Sequence, residues 1–141
     1  MSELATPPLR APIPMARLDE EFFAHCAEER LCFQRCTACG SWRHLPRALC
    51  ARCGSDAWEW QQSSGRGRLY SWTITHQAIL PGFAEHVPFV VAVVELDEGV
   101  RVVSALRGIA REELALDLPL AVAFEPVEGG RALPVFGPRR E

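Results

Sequence analysis

Four cysteines carry the clearest chemistry in this chain. Cys36-Thr-Ala-Cys39 and Cys50-Ala-Arg-Cys53 are two Cys-x-x-Cys pairs with ten residues between them, so four thiols fall within eighteen positions. A glycine follows each pair, Gly40 and Gly54, and lets the backbone fold closely around an ion. Zinc takes four thiolates in a tetrahedron at about 2.3 Å each, and this spacing reads as a zinc ribbon. Iron suits four thiolates equally. Two disulfides, a redox pair and four unrelated buried thiols are the competing readings. A catalytic zinc keeps one coordination position open, whereas four cysteines close the site. One structural metal ion is therefore expected.

No second constellation of this kind stands out. The four histidines, His25, His44, His76 and His86, are scattered, and none sits in a nucleophile elbow or a metalloprotease motif. All 15 basic residues are arginine. Without lysine the chain has no Schiff-base chemistry of its own and no P-loop. A net charge of −3 and a pI near 5.8 give no global attraction to nucleic acid. The charge is uneven, however. Residues 30–68 hold seven arginines against Asp56 and Glu59, a cationic island on an otherwise acidic protein. That island reads either as a solvated surface with snorkelling arginine stems or as a contact for an anion such as a phosphate. A second candidate is the stretch from His76 to Pro88. It is a long loop between two strands that carries His76, Ile79, Leu80, Pro81, Gly82 and Phe83. Long loops in compact barrels are often functional, and apolar residues on them suit docking or capping the barrel end.

The elements that must hold these residues can be read from pattern. Residues 1–17 contain Pro7, Pro8, Pro12 and Pro14 and are expected to be an extended arm. A helix is predicted from Asp19 as N-cap to about Arg30, with Glu20 and Glu21 in its first turn and Leu18 stapled to Phe23. Leu18, Phe22 and Cys26 form its apolar face. Leu31 to Arg35 reads as a strand feeding the first metal knuckle, and Trp58 and Trp60 alternate with polar residues as a strand would. Cys26 and Cys32 lie outside the ribbon spacing and read as small buried hydrophobes. Ser63-Ser-Gly-Arg-Gly67 is a break, which gives the expected division 1–17, 18–62 and 63–141.

Beyond the break the pattern is all strand. Leu69 to Thr75 is rich in aromatic and β-branched residues, and Phe89 to Leu96 reads as a strand buried on both faces. Asp97-Glu-Gly99 turns into Val100 to Leu106, Arg111-Glu-Glu-Leu makes one helical turn, and Leu120 to Phe124 and Leu133 to Phe136 complete the set. The fold class is mainly β with an N-terminal helix: a zinc ribbon followed by a five-stranded barrel of the OB type, with a β-sandwich as the alternative. Met1 to Pro8 shows no basic region followed by an apolar stretch, and no apolar run is long enough to span a bilayer. A cytoplasmic protein with reduced thiols is expected.

The ordered series resembles the DUF35 family. It comprises an N-terminal helix, the four-cysteine ribbon, Gly65-Arg-Gly67 leading to Tyr70-Ser-Trp-Thr, His76, Pro81-Gly-Phe83, Val87-Pro-Phe89, Leu96-Asp-Glu-Gly99 and Pro134-Val-Phe136. It covers residues 18–138. Trp72 and Phe89 depart slightly, standing where related chains carry other aromatics. The resemblance implies a rubredoxin-like zinc ribbon joined to an OB-fold, acting as a non-catalytic accessory subunit in acyl-CoA metabolism. The implied partner is a thiolase-fold enzyme (thiolase, acyltransferase or aldolase), with a hot-dog-fold enoyl-CoA hydratase as the alternative. The implied task is to hold the partner and help shape its CoA-ester site. Arg43, Arg47 and Arg52, on the knuckles, are the expected contacts for CoA phosphates, because guanidinium binds phosphate in a bidentate fashion. A different class, a single-stranded nucleic-acid module stacking bases on Tyr70 and Trp72, also remains.

Overall fold

The computed structural model describes residues 16–77 and 87–139. Helix α1 spans Arg17–Ala27. It starts two residues before Asp19, and its N-cap position is Ala16, with no side-chain cap. Asp19 therefore sits in the first turn beside Glu20, where both carboxylates face the positive end of the helix. The helix stops at Ala27, ahead of the expected Arg30. The amides of Glu28 and Arg30 bond His25 O and that of Glu29 bonds Cys26 O, while Glu29 turns to φ 60°. Phe22 and Cys26, one turn apart, are the buried side chains of α1.

The ribbon is a three-stranded antiparallel sheet. Its strands are β1 (Cys32–Cys36), β2 (Trp42–Arg43) and β3 (Trp58–Gln62), in the order β2-β1-β3. Strand β1 is central and buries Cys32, Phe33, Gln34 and Cys36. The alternation of Trp58 and Trp60 predicted from sequence is the register of β3, where they oppose Cys36 and Gln34.

The second sheet holds β4 (Arg66–Thr75), β5 (Phe89–Leu96), β6 (Arg101–Ser104), β7 (Pro119–Val127) and β8 (Arg131–Pro138). Every neighbouring pair is antiparallel, in the order β6-β5-β4-β7-β8. A parallel bridge between Leu106 and Phe136 draws the two edges together and nearly closes the barrel. The short 3-10 turn Arg111–Glu113 precedes the fourth barrel strand, as expected. This is the OB architecture rather than a sandwich.

Two details differ from the pattern reading. Strand β5 is not buried on both faces. Val90, Ala92, Val94 and Leu96 point inward, while Phe89, Val91, Val93 and Glu95 are half-covered. Its outward valines hide the period of two expected for one buried face. Strands β7 and β8 are also longer than their apolar stretches, pairing from Leu120–Pro138 to Val127–Arg131.

The two sheets share one core. Phe22 from α1 and Leu31 and Phe33 from the ribbon pack into the same cluster as Leu69, Val94, Leu120 and Phe136 of the barrel. Polar ties reinforce the join. Trp60 Nε1 donates to Glu21 at 2.9 Å, and Arg131 reaches Glu20 at 3.3 Å. Ser63 Oγ and the amide of Ser64 both donate to the Glu98 carboxylate of the β5–β6 turn.

Candidate metal centre and arginine cleft

The knuckles are two copies of one turn. Gly40 N donates to Cys36 O at 2.9 Å and Gly54 N to Cys50 O at 2.8 Å. Cys36 N reaches Ser41 O at 2.8 Å and Cys50 N reaches Ser55 O at 2.9 Å. Both turns need a residue in the left-handed region after the second cysteine. Gly40 at φ 79° and Gly54 at φ 77° supply it without a Cβ penalty.

These turns bring the four sulfurs together. All four Sγ atoms lie within 4.8 Å of one another. Cys36 and Cys53 are 3.6 Å apart and Cys39 and Cys50 3.7 Å, each pair joining one knuckle to the other. Zn–S bonds of about 2.3 Å give tetrahedron edges of about 3.8 Å, so the donors present fit one zinc ion. Cys26 and Cys32 are buried away from this set, as expected of small hydrophobes. Burial of Cys26 pushes its thiol up to about 12, which keeps it neutral and inert. The ligand sulfurs do not move together. Against the pull of the Ser55 amide, the Cys36 sulfur, burial, and then the Cys39 and Cys50 sulfurs push the Cys53 thiol up to about 11, whereas Cys50 and Cys39 go down. The Ser41 hydroxyl, then the amides of Cys53 and Arg52, pull the Cys50 thiol down to about 5. The Ser41 hydroxyl and amide also lower Cys39. Donors gathered on thiolates are what a metal-thiolate site needs, because the ligand must be deprotonated.

Beside the metal site is a cationic cleft of about 410 Å³. Ser41, Arg43, His44, Arg47 and Arg52 of the ribbon face Val100 and Arg101 of the barrel hairpin across it. The three arginines singled out from the knuckles thus share one cavity, but they are not equivalent. Arg47 and Arg52 have exposed side chains. Arg43 is buried. Its Nε donates to Gln34 Oε1 at 3.0 Å and its Nη2 to Arg47 O at 2.8 Å, while Nη1 is buried without a partner. Gln34, fully buried on β1, completes the brace. It accepts from Arg47 N at 2.8 Å and donates to Arg47 O at 2.9 Å. The sequence reading missed Arg101, whose position just past the Gly99 turn was the available signal. Its guanidinium lies 3.8 Å over the Tyr70 ring and pairs with Glu95 at 3.0 Å. Arg68 and Arg101 together hold the Glu95 carboxyl below its ordinary range.

On the other side of His44 is an apolar hollow of about 280 Å³. It lies among Phe22 and Phe23 of α1, Leu45 and Pro46 of the ribbon, Val103 of β6 and Leu133 of β8. Leu45 and Val103, each 69% exposed, stand together at its edge and extend the apolar surface of the hollow outward. His44 was not singled out from sequence. Its ring packs 5.0 Å from Phe22 and 5.3 Å from Phe33, and Nδ1 is buried without a partner. Burial pushes His44 down to about 4, against the opposing pull of the Asp19 carboxylate. A base held below its unfolded value of 6.5 stabilises the fold fully above that pH. The stabilisation is lost as pH falls from 6.5 toward 4, by on the order of 2–3 kcal/mol. Because thiolates also protonate in acid, the measurement is a difference. The Tm of the wild-type chain should fall more steeply between pH 7 and 5 than that of His44→Phe; parallel slopes would refute the assignment.

Of the loop candidates, His76 is exposed at the end of β4. Ile79, Leu80, Pro81, Gly82 and Phe83 lie outside the described residues. Among the described residues no helix is long and apolar enough to cross a membrane.

Comparison with known proteins agrees with this geometry. The family models for the rubredoxin-like zinc ribbon domain and the C-terminal OB-fold domain of ChsH2 match residues 23–59 and 60–125. A solved structure, "Ltp2-ChsH2(DUF35) aldolase", superposes with a TM-score of 0.80 at 35% identity, covering 90% of this chain and 98% of that one. A probable enoyl-CoA hydratase alpha subunit of Thermomonospora curvata is 38% identical over 128 residues, 90% of this chain and 40% of the relative. The 3-oxo-4,17-pregnadiene-20-carboxyl-CoA hydratase alpha subunit of Mycobacterium tuberculosis is 38% identical over 85 residues, 60% of this chain and 27% of the relative. The chain thus spans well under half the length of these two curated relatives.

Proposed function

The chain belongs to the DUF35 family, with the zinc ribbon and OB-fold of ChsH2, and from that premise we propose that it is a non-catalytic subunit of an acyl-CoA-processing complex. Its partner is a thiolase-fold enzyme, for which we favour an aldolase. The observation that carries this reading is the 98% coverage, at TM-score 0.80, of a chain from an aldolase complex. The site chemistry supports it. A ribbon closed by four cysteines leaves no open coordination position for catalysis. The cleft offers the exposed guanidinium groups of Arg47 and Arg52 to the phosphates of a CoA ester, with Arg43 braced behind them. The hollow edged by Leu45 and Val103 offers apolar surface to the partner, and on the strength of its sequence alone the stretch of His76, Ile79, Leu80, Pro81, Gly82 and Phe83 is a further candidate for contact with the partner.

A second reading rests on two relatives named as hydratase alpha subunits: the partner is then an enoyl-CoA hydratase. A single-stranded nucleic-acid module is the weakest alternative, since Arg101 already covers one face of Tyr70.

Co-expression with the candidate partners decides between them. The expected result is a stable hetero-oligomer with an aldolase-type thiolase-fold enzyme, whose acyl-CoA turnover drops when this chain is withheld. Association with a hydratase instead, or acyl-CoA turnover by this chain alone, overturns the assignment. Within the active complex, Arg47→Ala with Arg52→Ala should raise KM for the CoA ester about tenfold with little change in kcat, the size expected for losing a charge-assisted hydrogen bond. An unchanged KM would remove the arginines from the CoA contact and leave the subunit reading standing.

A further inference from the structure

Ser41 follows the first knuckle glycine and makes a contact that its counterpart in the second knuckle does not. Its hydroxyl lies 3.1 Å from Cys39 Sγ and 3.3 Å from Cys50 Sγ, so it sits over the one tetrahedron edge that joins those two sulfurs. Ser55 occupies the equivalent place after Gly54, with the same backbone bond to the preceding cysteine. Yet its Oγ accepts from Ala57 N at 3.0 Å. A serine at this position therefore does not reach sulfur by default; the first knuckle aims its hydroxyl there. Cys39 is one of the two exposed ligands while Cys50 is buried, so small reagents reach the edge under Ser41 from its Cys39 end.

We propose that the Ser41 hydroxyl donates a hydrogen bond to the metal-bound thiolates of Cys39 and Cys50 and thereby restrains their reactivity toward electrophiles. A sulfur lone pair engaged with an O–H is less available for attack, and hydrogen bonds to charged acceptors are among the stronger ones. Ser41 is on this account a positioning and tuning residue rather than a ligand. Its neighbours are consistent with that part. The amides of Cys39 and Arg52 also approach Cys36 and Cys50 sulfur at 3.4 Å each, but as backbone donors they are the same for any sequence of this shape.

The zinc-loaded chain is treated with iodoacetamide in the presence of a chromogenic zinc chelator. Thiolate sulfur forms a bond to carbon as the C–I bond breaks and iodide leaves with the electron pair; the resulting thioether is a poor ligand, and zinc passes to the chelator. Ser41→Ala should release zinc about fivefold faster than wild type. Ser41→Thr and Ser41→Val have nearly the same shape, and only threonine keeps the hydroxyl. Thr should behave as wild type and Val as Ala, while Ser55→Ala, which touches no sulfur through its side chain, should leave the rate unchanged. Cobalt substitution gives a second readout. Removing the hydrogen bond should move the sulfur-to-cobalt charge-transfer band to lower energy with the tetrahedral ligand-field bands intact. Equal release rates for the Thr and Val variants, or bands at the same energy in both, overturn the proposal.

Discussion

Removing the metal is expected to dissolve the ribbon. Chelation, or Cys36→Ser, leaves a three-stranded sheet of 5, 2 and 5 residues, one of whose strands is barely a turn long. Its buried apolar side chains are few, chiefly Cys32, Phe33 and Cys36 of β1. Sheets this small do not fold alone. Structural zinc contributes roughly 10–16 kcal/mol in comparable sites at neutral pH, far more than such a core. Three of the four tryptophans, Trp42, Trp58 and Trp60, lie on ribbon strands, so near-ultraviolet circular dichroism reports this unit almost selectively. That signal should collapse on chelation and return with zinc. The barrel should survive but melt earlier, because Phe22, Leu31 and Phe33 belong to its core cluster. A metal-free protein with an unchanged tryptophan spectrum would show that the cysteines hold no essential ion.

The second large effect is expected at Gln34. Its side chain is fully buried and makes three hydrogen bonds, to Arg43 Nε, Arg47 N and Arg47 O. Gln34→Leu keeps the volume and removes all three, leaving the buried Arg43 guanidinium and the part-buried Arg47 amide with fewer partners. Orphaning buried donors costs about 1–3 kcal/mol each, more when charged. The expected loss is about 3–4 kcal/mol by denaturant titration, with the metal still bound. The cleft should also loosen, since Gln34 of β1 and Arg43 of β2 both hold the backbone of Arg47. A variant as stable as wild type would mean that water replaces these bonds without penalty. Gln34→Glu separates the two causes, because it keeps the acceptor for Arg43 while losing the donor to Arg47 O.

How much of this was legible depended on whether a residue acts through its type or through its surroundings. The cysteines act through type and spacing, so the metal site could be read outright. The barrel strands declared themselves through β-branched content and turn residues, and the order of elements followed. The period of β5 did not, because Val91 and Val93 face outward yet remain half-covered. The helix start was misplaced because Asp19 is a good cap by type, while Arg17 and Leu18 already fit the turn before it. Arg43, Arg47 and Arg52 looked alike in sequence. Only tertiary packing separates Arg43, buried against Gln34, from the two that reach solvent. His44, Ser41 and Arg101 passed unnoticed for the same reason. A lone histidine, serine or arginine gives no pattern, and each gains its meaning from the side chains the fold packs around it.

The ties between α1, the ribbon and the barrel have a mechanical consequence. Glu21 to Trp60 ties α1 to the ribbon, Glu20 to Arg131 ties α1 to the barrel, and Glu98 to Ser63 and Ser64 ties the ribbon's exit to the barrel hairpin, all around a common apolar core. A chain with a swinging ribbon would have to surrender that freedom on meeting a partner, and ordering costs of this kind erode affinity. Here the distance from barrel to metal knuckle is fixed beforehand. On the proposed function, an enzyme that gripped the barrel would receive the knuckle arginines at a set reach, in the way a caliper carries one jaw to wherever the other is clamped.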